Sequence, residues 1–375
     1  MATEQAPTKP WLETRLPFCA AWRGHVTEYQ AARDQPYLAT LPGLILGALI
    51  FLVLSGTVLS IYYVATEGSA YDSIQFIARG VNFGWLVQSF HSTGTTMIFA
   101  AMYLLLFRAI LTRSYKGKRD LVWFLKLKLF ALLLVTGWLG YVMADGAVSY
   151  WSLHNAALSG ARLNGAPGVI SEWIFGGAGD PGTLARMAVF HVVLALLIFT
   201  VIGSLIVANR VAAPESRRGA VALHPYYTSQ YFVAFVVFAL IFAVLVFFAP
   251  HLGENRLNAV AASRLVVPAL LTPPWYLLPV AAIGGALPST MDAILLVIAA
   301  LAVLYALPWL DRSKPSMPAG FLYKLFVWIL ALDVIALCIT AACPASALSG
   351  ILTTVFIIWY FLHFLVLTPL STGAL

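Results

Sequence analysis

The sequence predicts an all-α polytopic membrane protein with eight transmembrane helices, and three observations lead there. Of its 375 residues 61% are hydrophobic and only 10% charged, with a mean hydropathy of +0.88; a soluble domain of this length needs more charge on its surface. Apolar runs of roughly 20 residues, enough to cross about 30 Å of hydrocarbon as helix, recur along the whole chain. One anchor or a cleaved leader accounts for a single run, not a series. The basic residues lie in short blocks between those runs instead of in one stripe. The net charge of +7 therefore reads as membrane topology, and no nucleic-acid partner is expected.

In chain order, the first 35 residues are polar and are expected along the cytoplasmic surface. Apolar windows follow at about 41–64, 84–110, 122–144, 186–209, 231–249, 291–309, 320–341 and 349–369. An even number of spans puts both termini on one side. Arg15 and Arg23, Arg108 through Lys128, Arg210, Arg217 and Arg218, and Arg312 and Lys314 all fall on that side. The positive-inside rule makes it cytoplasmic, and the expected location is a bacterial inner membrane. The loops at about 65–83, 145–185, 250–290 and 342–348 then face the other side, and the second and third exceed simple connections. The third is apolar from Leu265 to Leu287, but Pro268, Pro273, Pro274, Pro279 and Pro288 interrupt it. A re-entrant or interfacial segment is expected there. Cys19, Cys338 and Cys343 lack metal-site spacing and are read as structurally neutral.

His91 and His191 sit inside apolar spans, where an ionisable ring is costly unless paired, hydrogen-bonded or bound to metal. Two readings stand side by side. One is a neutral imidazole bonded to a carbonyl of a neighbouring helix. The other is axial ligation of one haem iron, because the two histidines lie on separate helices, each at the non-cytoplasmic end of its span. His154 and His251 fall in non-cytoplasmic loops and are expected to be solvated.

Longer stretches add to this. Gly84-Trp85-Leu86-Val87-Gln88-Ser89-Phe90-His91-Ser92-Thr93-Gly94, Gly140-Tyr141-Val142 with Ser149-Tyr150-Trp151, Glu172-Trp173-Ile174, Thr183-Leu184-Ala185-Arg186 before His191, His224-Pro225-Tyr226-Tyr227-Thr228, Pro273-Pro274-Trp275-Tyr276, and Trp328 to Cys343 occur in that order. This series resembles cytochrome b of the quinol-oxidising complexes, the cytochrome b/b6 family, over about residues 35–370. The resemblance implies a polar segment 1–35, a four-helix haem-binding bundle 36–225, and a C-terminal four-helix region 226–375 that holds the re-entrant loop.

In that family each haem-bearing helix carries two histidines fourteen residues apart, which a helix places roughly 21 Å apart on nearly one face. The partners of His91 and His191 would be residues 105 and 205, and both are leucine. Gly56 and Gly140 match the glycines beside the retained haem, whereas Pro42, or Gly43 with an offset of one, and Lys126 stand at the other pair. Arg186 matches a haem-propionate partner, and Gln88 replaces a second such arginine. Arg108 matches a propionate partner of the missing haem and is read as a snorkelling helix-end arginine. The family's cytoplasmic quinone-site histidine and aspartate align with Arg210 and Tyr231. The glutamate of Pro-Glu-Trp-Tyr aligns with Pro274, which can accept no proton; Tyr141, Trp275 and Tyr276 remain as quinone-site candidates.

The resemblance thus implies a membrane electron-transfer subunit with one haem b near the non-cytoplasmic face and no second haem. It would pass electrons between quinone and a partner on that face (an Fe–S protein, a c-type cytochrome or a dehydrogenase) within a multisubunit oxidoreductase complex. The alternative is a cytochrome b-like scaffold or anchor with a structural haem or none. A transporter is disfavoured, since paired intramembrane carboxylates and broken helices in related halves are not seen.

Overall fold

The computed structural model describes residues 18–33, 35–177, 180–212, 219–253, 255–315 and 317–373. Arg15, Arg217 and Arg218, named above for topology, lie outside the described residues.

Hydrocarbon offers no hydrogen-bond partner to a backbone amide, so an apolar segment satisfies its own amides as helix. Among the described residues eight helices are long and apolar enough to cross a membrane: α1 Tyr37–Ser60, α3 Gly84–Leu111, α4 Gly117–Val142, α7 Thr183–Val211, α8 Leu223–Phe248, α10 Thr290–Leu310, α11 Phe321–Ala342 and α12 Ala347–Gly373. The protein is an all-α integral membrane protein. Each helix matches a predicted window, but two of the expected loops are themselves largely helical. Residues 65–83 hold α2, Ser69–Gly80. Residues 145–185 hold α5, Ala147–Ala161, and α6, Gly165–Phe175, packed on each other.

The proline-interrupted loop contains the short helix α9, Trp275–Gly285. Pro279 falls in the first turn of its α-helical part, Leu278–Gly285, where a missing N–H leaves no bond unmade. Tyr276, Leu277, Leu278, Ala282 and Ile283 are buried, and α9 packs against α10 and α11.

The chain divides into two compact units. The smaller comprises residues 1–44 and 213–241. In it β1, Gln30–Ala32, pairs antiparallel with β2, Ala220–Ala222, and the Tyr227 hydroxyl donates to Ala32 O at 2.5 Å. The larger comprises residues 45–212 and 242–375. Its core runs along α3, α4 and α7 through Met102, Leu105, Leu129, Leu133, Ile198 and Leu205.

Also in the larger unit, the α3–α4 connection ends in a buried polar network. Arg113 Nε donates to Asp311 Oδ2 at 2.9 Å, and the Tyr115 hydroxyl donates to the same oxygen at 2.9 Å. Tyr115 and Tyr323 share a hydroxyl hydrogen bond of 2.8 Å, and Tyr323 donates to Ile110 O at 2.9 Å. Lys116 Nζ donates to Asp311 O at 2.5 Å. Arg113 belongs to the basic block read above as topology, yet it is a buried tether between the α3–α4 connection and the end of α10.

Burial pushes the Asp311 carboxyl up, but hydrogen bonds from the Ser313 hydroxyl and amide and from Arg113 outweigh it and hold the group below its ordinary range. Asp311→Ala leaves Arg113 buried without its counter-charge and should cost about 3–5 kcal/mol in a denaturing-detergent titration. The lowered pKa makes the carboxylate's contribution complete at neutral pH; it should be lost only as pH falls through a value below the ordinary carboxylate pKa of about 3.9.

Candidate haem site and quinone-site positions

His91 lies two turns into α3 and His191 two turns into α7. Their rings face each other with centroids 6.3 Å apart. A metal–imidazole bond is about 2.1 Å, so two imidazoles on one ion stand with centroids roughly 6 Å apart. The observed spacing matches that distance, with the ring planes inclined by 64°.

The neighbouring helices fix both rings in the same way. His91 Nδ1 lies 3.1 Å from Leu52 O and 3.1 Å from Ser55 Oγ on α1. His191 Nδ1 lies 2.9 Å from Thr136 O on α4. A carbonyl oxygen only accepts, so Nδ1 carries the proton and Nε2 keeps its lone pair. That tautomer is the one a metal-binding histidine needs.

Each ring reaches its carbonyl by lying across a glycine one helical turn further on, Gly56 after Leu52 and Gly140 after Thr136. A Cβ on Gly56 would stand 2.9 Å from His91 Cε1, and one on Gly140 2.8 Å from His191 Cε1. No side chain fits there. Donor set, spacing, tautomer and clearance therefore fit a bis-histidine haem, and the carbonyl bonds of the first reading are part of the second.

At the position of the family's second haem, expected to be absent here, Leu105 and Leu205 are 1% and 2% exposed, and Met102, Ile198, Val201 and Ile202 on the same helices are also buried. Lys126 is buried at 3% exposure.

Arg186 is committed within its own loop. Its Nε donates to Ile174 O at 3.0 Å, its Nη2 donates to Phe175 O at 2.7 Å, and its ion pair with Asp180 spans 3.2 Å. The Tyr141 hydroxyl is buried and, among the described residues, has no hydrogen-bond partner. Tyr276 stacks on Phe99, with centroids 4.0 Å apart and planes 4° apart, and its carbonyl accepts from the Tyr103 hydroxyl at 2.8 Å. Trp275 tilts against Tyr103 at 5.9 Å. Pro274 precedes this turn and accepts a hydrogen bond from Leu277 N.

His154 stacks on Tyr150, so it is partly covered rather than simply solvated. Among the other ionisable groups inside spans are Asp333 in α11 and His363 in α12. Among the described residues neither has a hydrogen-bond partner on its carboxylate oxygens or ring nitrogens. Both stand out on the same ground as His91, an ionisable group within an apolar run.

Eight apolar helices holding two opposed, carbonyl-fixed histidines define an integral membrane protein of the b-type cytochrome class. The family description "Cytochrome b/b6/petB" matches residues 30–210, and "Cytochrome b(C-terminal)/b6/petD" matches residues 261–361. The chain is 33% identical to cytochrome b of Rickettsia prowazekii over 372 residues, covering 96% of this chain and 93% of that one. It is 32% identical to cytochrome b of Rhodospirillum rubrum over 373 residues, covering 96% and 91%. Among solved structures, a chain of a hyperthermophilic respiratory complex III superposes with a TM-score of 0.86 at 26% identity, covering 97% of this chain and 98% of that one. The chain belongs to the cytochrome b family, and it is a membrane electron-transfer subunit of the haem b-binding kind.

Gly140→Ala or Gly56→Ala should drive the imidazole off its carbonyl and lower haem content, read as the haem-to-polypeptide ratio and loss of the low-spin spectrum. Gly203→Ala, on α7 with nothing within 4 Å of the added carbon, should leave both unchanged.

Proposed function

We propose that this subunit holds one haem b, between His91 and His191 near the non-cytoplasmic face. In this role it exchanges electrons between the quinone pool and a redox protein docked on that face, as part of a multisubunit respiratory complex. The observation that carries the reading is the asymmetry between two positions fourteen residues apart. One has opposed imidazoles over glycines; the other has Leu105, Leu205 and Lys126. When bound there, the haem supplies reversible one-electron chemistry. The chain's own residues do the rest: Leu52 O and Thr136 O orient the ligand rings, and Gly56 and Gly140 make room. Arg186 would take a propionate in exchange for Asp180.

Quinone chemistry in this reading belongs to the same face. Tyr141, with its unpartnered hydroxyl, Trp275 and Tyr276 are the residues nearest in kind to a quinone site, while Arg210 and Tyr231 stand where the family's cytoplasmic site needs proton carriers. The proposed organisation is a cytoplasmic segment 1–35, a haem bundle 36–225 and a C-terminal region 226–375, in a bacterial inner membrane with both termini cytoplasmic. The basic residues Arg23, Arg108, Arg119, Arg312 and Lys314 support that orientation. Pro274 favours a second reading, a scaffold subunit with a structural haem or none, because it removes the proton acceptor from the quinol-site turn.

A pyridine haemochrome assay of the purified protein should give one haem b per chain with a low-spin reduced spectrum, and His191→Ala should abolish it. Two haems per chain would refute the one-site reading, and none would leave the scaffold.

A further inference from the structure

Beside the C-terminal end of α4 the larger unit holds a small cavity that the electron-transfer reading does not use. Glu67, Asp145, Tyr150, His154, Asp180 and Thr183 supply its polar lining. Its volume of about 30 Å³ is room for about two water molecules. Asp145 is the buried acid of the three, 4% exposed. Its Oδ2 accepts from Gly68 N at 2.6 Å; among the described residues its Oδ1 has no hydrogen-bond partner and the carboxylate no ion pair. The other two acids are paired, Glu67 with Arg264 and Asp180 with Arg186, each at 3.2 Å. Asp145 has a φ of 50°, a left-handed backbone that asparagine or glycine also adopts, and an amide oxygen would accept from Gly68 N as well. Neither the turn nor the bond needs an acid.

Burial pushes the Asp145 carboxyl up; the Gly68 bond pulls it down, Glu67 raises it again and Arg264 lowers it, and the rise wins. The ionised group therefore costs stability at neutral pH, a cost that vanishes as pH falls below the ordinary carboxylate pKa of about 3.9. The remaining titratable groups around it are Tyr63, which donates to Met143 O at 2.8 Å, and on α5 Tyr150 with His154 stacked on it. Tyr141, four residues before Asp145, belongs to a buried cluster; Leu153 packs on that cluster and also lines the cavity. We propose that Asp145 is the proton acceptor for quinol oxidation in this chain, in place of the one that Pro274 removes, and that water in the cavity carries the proton out. Each quinol hydroxyl oxidised gives one electron to the acceptors of the electron-transfer reading and one proton to Asp145: the quinol O–H bond breaks and a carboxyl O–H bond forms. That bond breaks in turn as the proton leaves through the cavity, and the carboxylate is restored. The inference rests on the reading that quinone chemistry belongs to this face.

The test uses the full-length, haem-loaded protein in the complex it forms. Rapid mixing with a short-chain ubiquinol follows haem reduction across pH, and infrared spectroscopy follows the carboxylic-acid C=O stretch. Asp145→Asn should slow quinol-driven reduction roughly tenfold or more at neutral pH and remove the fall in rate that the parent shows on acidification, while dithionite still reduces the haem fully. Asp145→Glu should restore part of the rate. Asp145→Asn should also melt higher than the parent at neutral pH and lose that advantage in acid. Asp145→Gly, which suits the same backbone, serves if the asparagine variant fails to fold. The parent should show an acid band, missing from the variant, that persists above the ordinary carboxylate range and shifts promptly in D2O. An unchanged rate and pH profile in the variants, or an acid band that does not exchange with D2O, overturns this inference alone. A parent that dithionite reduces and quinol does not overturns it together with the quinone reading.

Discussion

His91 and His191 each give their Nδ1 proton to a carbonyl oxygen of a neighbouring helix, and the arrangement of the four helices follows from that pair of bonds. A helical carbonyl is already accepting from its own chain, so a side chain reaches it only from the flank, across the residue one turn on. Glycine at that residue lets the ring lie against the backbone. With Gly56 on α1 and Gly140 on α4, the two histidines are held from opposite sides and meet ring to ring. The same bonds choose the tautomer, so helix packing and metal-ligand chemistry are one feature described twice.

Much of this was legible in the sequence because the bilayer makes strict demands. Water-free surroundings force whole apolar segments into helix, so the spans could be read from hydropathy, with ends that differ by up to eight residues at the start of α8. The cost of an ionisable ring in hydrocarbon singled out His91 and His191. The carbonyl acceptors were less legible, since Leu52 and Thr136 contribute backbone atoms that any residue would supply. The helices within residues 145–185 escaped notice because a short helix lying outside the apolar windows has a pattern that hydropathy does not detect.

Charges were the hardest to read. Arg113 and Lys126 belong to a block that looked like a topological marker, and both are buried, for opposite reasons. Arg113 meets Asp311 from almost two hundred residues away, a partner that local sequence cannot reveal. Lys126, 3% exposed, has no such counter-charge among the described residues. Arg186, matched to a propionate by resemblance, is bonded to Ile174 O, Phe175 O and Asp180. It ties the end of α6 to the start of α7, which gives it a structural task in the chain alone.

The leucine-filled core around Leu105 and Leu205 bears on how this subunit would respond to an energised membrane. In the one-haem reading proposed above, an electron held at the His91–His191 end would face roughly 21 Å of helix without a further redox station. Entering and leaving by one face, it would move little charge along the membrane normal. A transmembrane potential, worth about 2.3 kcal/mol per elementary charge at 100 mV, would neither drive nor brake it. Turnover through this chain would therefore escape the back-pressure that the proton-motive force exerts on electron flow across the whole bilayer.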